Sequence, residues 1–282
     1  MVEYVYMLIL LDNGGTKIRI AVSSDGKQID NHKIIPTPQN YEDALRNIFI
    51  EVNKLSSGEK IQGVAAGVRG PMDKEKSILL NPPDLPMWIG KNIKKDLENF
   101  FLAPVYLENE TALAGLGEAT FGAGKGYRIV VYVTVSTGLG GVRIVDGKID
   151  ANSMGFEIGH QVIDINSQLA CGCGKIGHLE AQVGGASIER YKKEKPENID
   201  DPVFWDSITK SLAYCVNNIL TFWSPDVIVM GGSVMNKVQL EDVEKYLKTM
   251  TIFPTTPPLK LAELKDISGL YGALAFLGTS LN

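Results

Sequence analysis

Residues 7–22 read MLILLDNGGTKIRIAV, and residues 129–145 read IVVYVTVSTGLGGVRIV. In each, an apolar strand runs into a short glycine-rich turn that carries a threonine, and a second strand returns from it. An Asp-Gly pair follows both times, Asp25-Gly26 and Asp146-Gly147, and marks a further hairpin into a third strand. The same unit thus occurs twice, about half the chain apart. We read it as an internal duplication that builds two related domains facing each other. Two ordinary hairpins are the plainer alternative, and the matching threonine and glycine chemistry of the turns favours duplication.

Working outward, strands alternate with helices, which makes the chain an α/β protein. Tyr41 to Leu55 places Ala44, Ile48, Val52 and Leu55 at helical spacing. A strand over 61–68 ends in the turn cluster Gly67-Val68-Arg69-Gly70-Pro71, and the run from Asn81 to Pro86 is a stiff proline loop. Glu108-Asn109-Glu110-Thr111 follows a strand over 104–107 and caps a small-residue helix to about Phe121. A long amphipathic helix is expected from Asp201 to Trp223, a buried strand over 227–230, and an apolar helix from Gly269 to Leu277.

Composition narrows the function classes. With 282 residues, 44% hydrophobic and 22% charged, the chain has ample material for a large core. A net charge of −5 and the lack of a basic run argue against a nucleic-acid partner. No apolar run approaches a membrane span. The N-terminal MVEYVYMLILLD carries Glu3 and lacks a basic leader region, so it reads as a buried strand and not a signal peptide. Three cysteines do not make a disulfide framework, and a reducing, cytoplasmic setting is expected.

Three glycine-rich turns carry anion-binding chemistry. In Asp12-Asn13-Gly14-Gly15-Thr16-Lys17 the glycines admit close approach of backbone amides to a phosphate, Thr16 and Lys17 add donors, and Asp12 can serve a phosphate-bound Mg²⁺. Ser136 to Gly141 offers Thr137 and the amide of Gly138 in the same way. Gly231-Gly232 ends a buried strand, where ligands sit in open α/β sheets. Any one of these is also what a plain turn requires; three in one chain point to a polyphosphate.

A fourth stretch, GFEIGHQVIDINSQLACGCGKIGHLE over residues 155–180, gathers two of the three cysteines and two of the three histidines. His160, Cys171, Cys173 and His178 form the ligand set of a closed tetrahedral zinc site, and Glu157 and Glu180 flank it. A loop of reduced thiols with incidental histidines is the bland alternative, and a strained Cys-X-Cys disulfide the weaker one.

Taken together, these motifs resemble the ROK family (repressor, open reading frame, kinase) of the actin-like, ribonuclease-H-fold ATPases, over almost the whole length. Asp12–Lys17 is similar to that family's first phosphate motif, Ser136–Gly141 to its second, and Pro225–Gly232 to its adenosine motif. Glu157-Ile158-Gly159-His160 followed by Cys171-Gly172-Cys173-Gly174 is similar to its zinc signature. The resemblance implies two domains, with residues 1–115 holding the first phosphate motif and residues 116–282 the second, the zinc site and the adenosine motif. It also implies that the last helix packs back on the first domain. It further implies ATP-dependent phosphorylation of a hexose hydroxyl, with Mg²⁺, a structural Zn²⁺ and a homodimer or homotetramer. Asn109, Glu157, His160, Glu180 and Asp84 would then contact the sugar, and Glu110 would be the general base. Two departures stand out: His178 replaces a third cysteine, and Glu110 replaces an aspartate. A non-catalytic sugar sensor is the rival reading, without a winged helix, since eleven residues precede Asp12.

Overall fold

The computed structural model describes residues 6–82 and 85–281. These form two compact units. One contains the chain up to Phe121, with Ala151–Gly155 and the stretch from Asp266; the other contains Gly122–Asp150 and Phe156–Lys265.

In the first unit, strands β1 (Tyr6–Asn13), β2 (Lys17–Ser23), β3 (Asn31–Pro36), β4 (Lys60–Val68) and β5 (Val105–Asn109) make one sheet in the order β3-β2-β1-β4-β5. β1, β2 and β3 are antiparallel neighbours, whereas β1, β4 and β5 run parallel. Central parallel strands are covered on both faces, and both β1 and β4 are accordingly buried along nearly continuous apolar runs. Helix α1 (Tyr41–Ser56) buries Ala44, Ile48 and Val52 completely, starts at the Asn40 cap and stops at Ser57, which is left-handed. Replacing Ile48 by alanine would cost about 2–5 kcal/mol at such a site. Helices α2 (Ile93–Phe101) and α3 (Glu110–Thr120) come next, each with an asparagine N-cap.

The second unit repeats the pattern. Strands β6 (Ile129–Val135), β7 (Leu139–Val145), β8 (Lys148–Ile149), β9 (Val227–Gly231) and β10 (Leu259–Leu261) lie in the order β10-β9-β6-β7-β8. Again the first three are antiparallel neighbours and the remainder parallel. Order and sense match strand for strand, so the duplication is one of whole sheets. Helices α4 (Leu179–Val183), α5 (Gly185–Lys192), α6 (Pro202–Trp223) and α7 (Leu240–Lys248) complete the unit. α6 is capped by Asp201, has proline in its first turn and ends at left-handed Ser224.

The last helix, α8 (Ser268–Ser280), belongs to the first unit and lies against α3 at backbone distance. A Cβ on Gly272 would fall 1.7 Å from the Leu113 carbonyl oxygen, and one on Gly117 2.2 Å from that of Ser268. No helix among the described residues is long and apolar enough to cross a membrane.

Candidate active site

In the first unit the functional side chains gather at the C-terminal ends of the three parallel strands, the edge where open α/β sheets bind ligands. β1 is longer than its apolar run predicts. Asp12 and Asn13 still pair with Gly67 and Val68 of β4 and with Arg19 and Ile18 of β2, so the turn proper is Gly14-Gly15-Thr16. The Gly14 amide donates to the Lys17 carbonyl at 3.0 Å, and Thr37 clamps the turn from β3 through bonds to the carbonyls of Gly14 (2.7 Å) and Thr16 (3.0 Å). Thr16 and Lys17 are left exposed at its tip. Asn109 ends β5 and caps α3: its Oδ1 accepts from the amides of Thr111 (2.9 Å) and Ala112 (3.3 Å). Both lone pairs are thereby used, and its NH₂ is the group that remains to meet a ligand.

Glu110, in the first turn of α3, stands against the phosphate turn. Its Oε2 lies 3.5 Å from where a Cβ on Gly14 would be, and its Cα 3.3 Å from the equivalent point on Gly67. Arg69 Nη1 is 3.4 Å from Glu110 Oε1, and Arg19 Nη1 is 3.0 Å from Asp12 Oδ2. Two carboxylates and two guanidinium groups thus share this strand edge. Burial, with the Asp12 charge next in size, pushes the Glu110 carboxyl up from 4.5 to about 7; Arg69 and Arg19 oppose the rise. Asp12 is also raised, chiefly by burial, with Arg19 pulling the other way.

The second unit brings its own motifs together. Thr134 pairs with Gly231, so the turn after β6 and the Gly231-Gly232 turn after β9 are neighbours, and the hydroxyls of Ser136 and Ser233 are 3.4 Å apart. Gly232 has φ +94° and backs onto the Val135 carbonyl, where a Cβ would meet the oxygen at 2.3 Å. Glu180, in the first turn of α4, lays its carboxylate over Gly138. Its Oε2 accepts the Leu139 amide at 2.9 Å, and a Cβ on Gly138 would sit 2.5 Å from the same oxygen. Two further bonds run from the Gly185 amide to the Ser136 carbonyl (2.7 Å) and from the Ala186 amide to that of Thr137 (2.9 Å). The start of α5 thereby braces the turn.

His160, Cys171, Cys173 and His178 converge, with their ligand atoms all within 4.8 Å of one another. The two histidine Nδ1 atoms are 3.2 Å apart, Cys171 Sγ is 3.6 Å from His160 Nδ1, and Cys173 Sγ is 3.4 Å from His178 Nδ1. A tetrahedron with Zn–N of about 2.0–2.1 Å and Zn–S of about 2.3 Å has edges of roughly 3.3–3.8 Å, so these residues fit such an ion. Both cysteines are free thiols. With Nδ1 turned into the cluster, His160 presents Nε2 towards Glu157 Oε2 at 3.8 Å. Cys171 Sγ also touches Glu180 Oε1 at 3.3 Å, so one carboxylate joins the thiol cluster to the phosphate turn.

A family model described as the ROK family matches residues 8–279. The chain belongs to the ROK family. The glucokinase of Streptomyces coelicolor is 33% identical to this ROK protein over 307 residues, 95% of this chain and 96% of that one. A solved ROK hexokinase from Thermus thermophilus superposes with a TM-score of 0.85 at 28% identity, covering 98% of this chain and 100% of that chain. A ROK family glucokinase from Streptomyces griseus, solved in complex with glucose and AMPPNP, superposes with a TM-score of 0.79 at 26% identity over 96% and 98% of the two chains. The two matched sheets of this ROK protein are those of the actin-like ATPase fold.

Asp84 lies outside the described residues. The chain just beyond it is firmly anchored: Leu85 and Trp88 are buried, and Tyr41 packs edge-on against Trp88 with ring centroids 5.3 Å apart. Sequence reasoning missed Arg19, Arg69 and Thr37. Arg69 stood in the turn cluster after β4, but it is the parallel register that makes it a neighbour of Glu110: Val68 pairs with Asn109, so the next residue of each strand emerges beside the other.

Proposed function

We propose that this ROK-type sugar kinase transfers the γ-phosphoryl group of Mg-ATP to O6 of glucose or a closely related hexose, with Glu110 as the general base. The observation that carries the reading is the placement of Glu110. A carboxyl raised to about 7 stands against the first phosphate turn, one residue beyond an asparagine whose NH₂ remains to meet a sugar oxygen. A base of that strength is half ionised near neutrality, which suits proton abstraction from a hydroxyl.

In this reading the O6 proton passes to a Glu110 carboxylate oxygen, O6 bonds to the γ-phosphorus, and ADP leaves with its Mg²⁺. Positioning and charge neutralisation supply most of the rate. The Gly15 amide with Thr16 and Lys17, on the turn that the Gly14 amide closes, and the amides of Thr137 and Gly138 would cradle phosphates, and Gly231 and Gly232 would admit the adenosine. Asp12 would serve the Mg²⁺ ion, which in turn would hold its buried carboxyl ionised. Asn109, Glu157, His160 and Glu180 would bind the sugar hydroxyls, His160 through Nε2, and Asp84 is proposed beside them. Zn²⁺ on His160, Cys171, Cys173 and His178 would order this loop as a structural ion.

The test is product analysis with a panel of glucose, mannose, fructose and N-acetylhexosamines. The expected result is a 6-phosphate of one preferred hexose. A phosphate on the anomeric oxygen would overturn the regiochemistry. No turnover, from protein that still binds a sugar, would favour a sugar sensor on the same fold.

A further inference from the structure

We propose that Arg69 is a positioning residue for the general base, reaching past the first phosphate turn to hold one oxygen of Glu110 so that the other faces the substrate hydroxyl. The inference rests on the reading of Glu110 as the base. It starts from the register: β4 and β5 run parallel with Val68 opposite Asn109, so the first residues beyond the two strands emerge side by side. Arg69 Nη1 approaches Glu110 Oε1 at 3.4 Å. Glu110 Oε2 points the other way, towards Gly14. The two oxygens are thus differentiated, one on the guanidinium and one on the phosphate turn.

The path of the arginine is fixed as well. Its Cδ and Nε each lie 3.2 Å from where a Cβ on Gly15 would be, so the side chain passes directly over the phosphate turn, and the glycine is what gives it room. Glutamate has one more rotatable bond than aspartate and needs a partner to hold its carboxylate in a single place. A planar, permanently charged guanidinium supplies that hold without competing for the proton.

Among the described residues, the charged groups acting on Glu110 are Asp12 from β1, Arg19 from β2 and Arg69 from the end of β4; Asp266, before α8, is 3.9 Å from Arg19. Arg19 is already committed to Asp12 at 3.0 Å. Arg69 Nη1, at 3.4 Å, is the guanidinium that reaches Glu110 itself, and it favours the ionised carboxylate against burial and against Asp12.

The experiment compares wild type, Arg69→Gln, Arg69→Lys and Glu110→Gln. Each is measured for kcat and for KM of ATP and of the preferred hexose across the pH range, with melting temperature as the folding control. Arg69→Gln is expected to lower kcat by roughly 10²-fold near neutrality. Its acid limb should move up by about one pH unit, so that part of the loss returns in alkaline buffer. Both KM values should stay close to wild type. Arg69→Lys keeps the charge but not the fork, so it should restore the position of the limb and only part of kcat. An unmoved limb in Arg69→Gln, or a loss confined to KM for ATP, would overturn the proposal and make Arg69 a phosphate ligand. If Arg69→Gln does not fold, the lysine variant decides: full kcat with the wild-type limb would refute the need for the fork. Turnover retained in Glu110→Gln would instead sink the reading of the base, whatever Arg69 does.

Discussion

Glu110→Gln should slow the reaction and, above neutral pH, stabilise the fold. The folded-state value of the Glu110 carboxyl is raised from 4.5 to about 7, first by burial and then by Asp12. A raised folded-state value means that the native protein holds this proton more tightly than the unfolded chain does. The stability it contributes is full below about pH 4.5 and is lost as pH climbs through about 7. That rise, from 4.5 to about 7, corresponds to about 3 kcal/mol at about 1.36 kcal/mol per tenfold change in proton affinity, and most of it is lost between about pH 4.5 and pH 7.5. Glutamine has nearly the same shape and never ionises, so it escapes this loss. At about 2 °C per kcal/mol for a chain of this size, the variant should melt some 4–6 °C above wild type at the alkaline end and within about 2 °C of it at the acid end. Scanning calorimetry of both proteins at the two pH values measures the difference. An offset that is the same at both, or a variant less stable in alkaline buffer, would refute the assignment of a high proton affinity to Glu110.

Three further outcomes rest on the packing. Purified protein should carry about one zinc per chain, and chelation should lower both its melting temperature and its nucleotide affinity, because Glu180 links Cys171 to the Leu139 amide; unchanged melting after verified metal loss would refute the site. Gly138→Ala places a Cβ 2.5 Å from Glu180 Oε2, the mobile end of a side chain. Isothermal titration should therefore show hexose affinity falling about tenfold, the cost of one displaced hydrogen bond, while melting barely changes. Gly272→Ala drives a Cβ to within 1.7 Å of the Leu113 carbonyl oxygen, a backbone atom that cannot step aside. Chemical denaturation should register a loss of about 3 kcal/mol or more, with activity falling too because α3 carries Glu110.

How much of this was legible depended on whether the signal was local. The duplicated strand–turn–strand unit could be read from residues 7–22 and 129–145 because apolar strands and glycine turns are written in consecutive residues. The Cys/His cluster stood out because those residues are scarce elsewhere and fall within nineteen positions of one another, from His160 to His178. α2 and α7 were passed over, although Ile93, Leu97 and Phe101 in one and Val243 and Leu247 in the other stand at the same helical spacing and are buried. β10, only three residues long, gave no periodicity to read. What the sequence hid was juxtaposition. Arg69 and Glu110 are 41 residues apart and meet because two parallel strands share a register. Thr37 clamps the first turn across the β2–β3 hairpin, and Glu180 reaches the second turn because α4 starts beside it; neither carries a motif of its own.

The central claim is that Glu110 removes the proton from the attacking hydroxyl. It is tested most directly by measuring ADP release from Mg-ATP with the preferred hexose, for wild type and Glu110→Gln, alongside calorimetric titration of that hexose into each. We predict a loss of turnover of at least about 10²-fold with sugar affinity within a few-fold of wild type. Near-normal turnover in the glutamine variant would contradict the assignment and remove Glu110 from the chemistry.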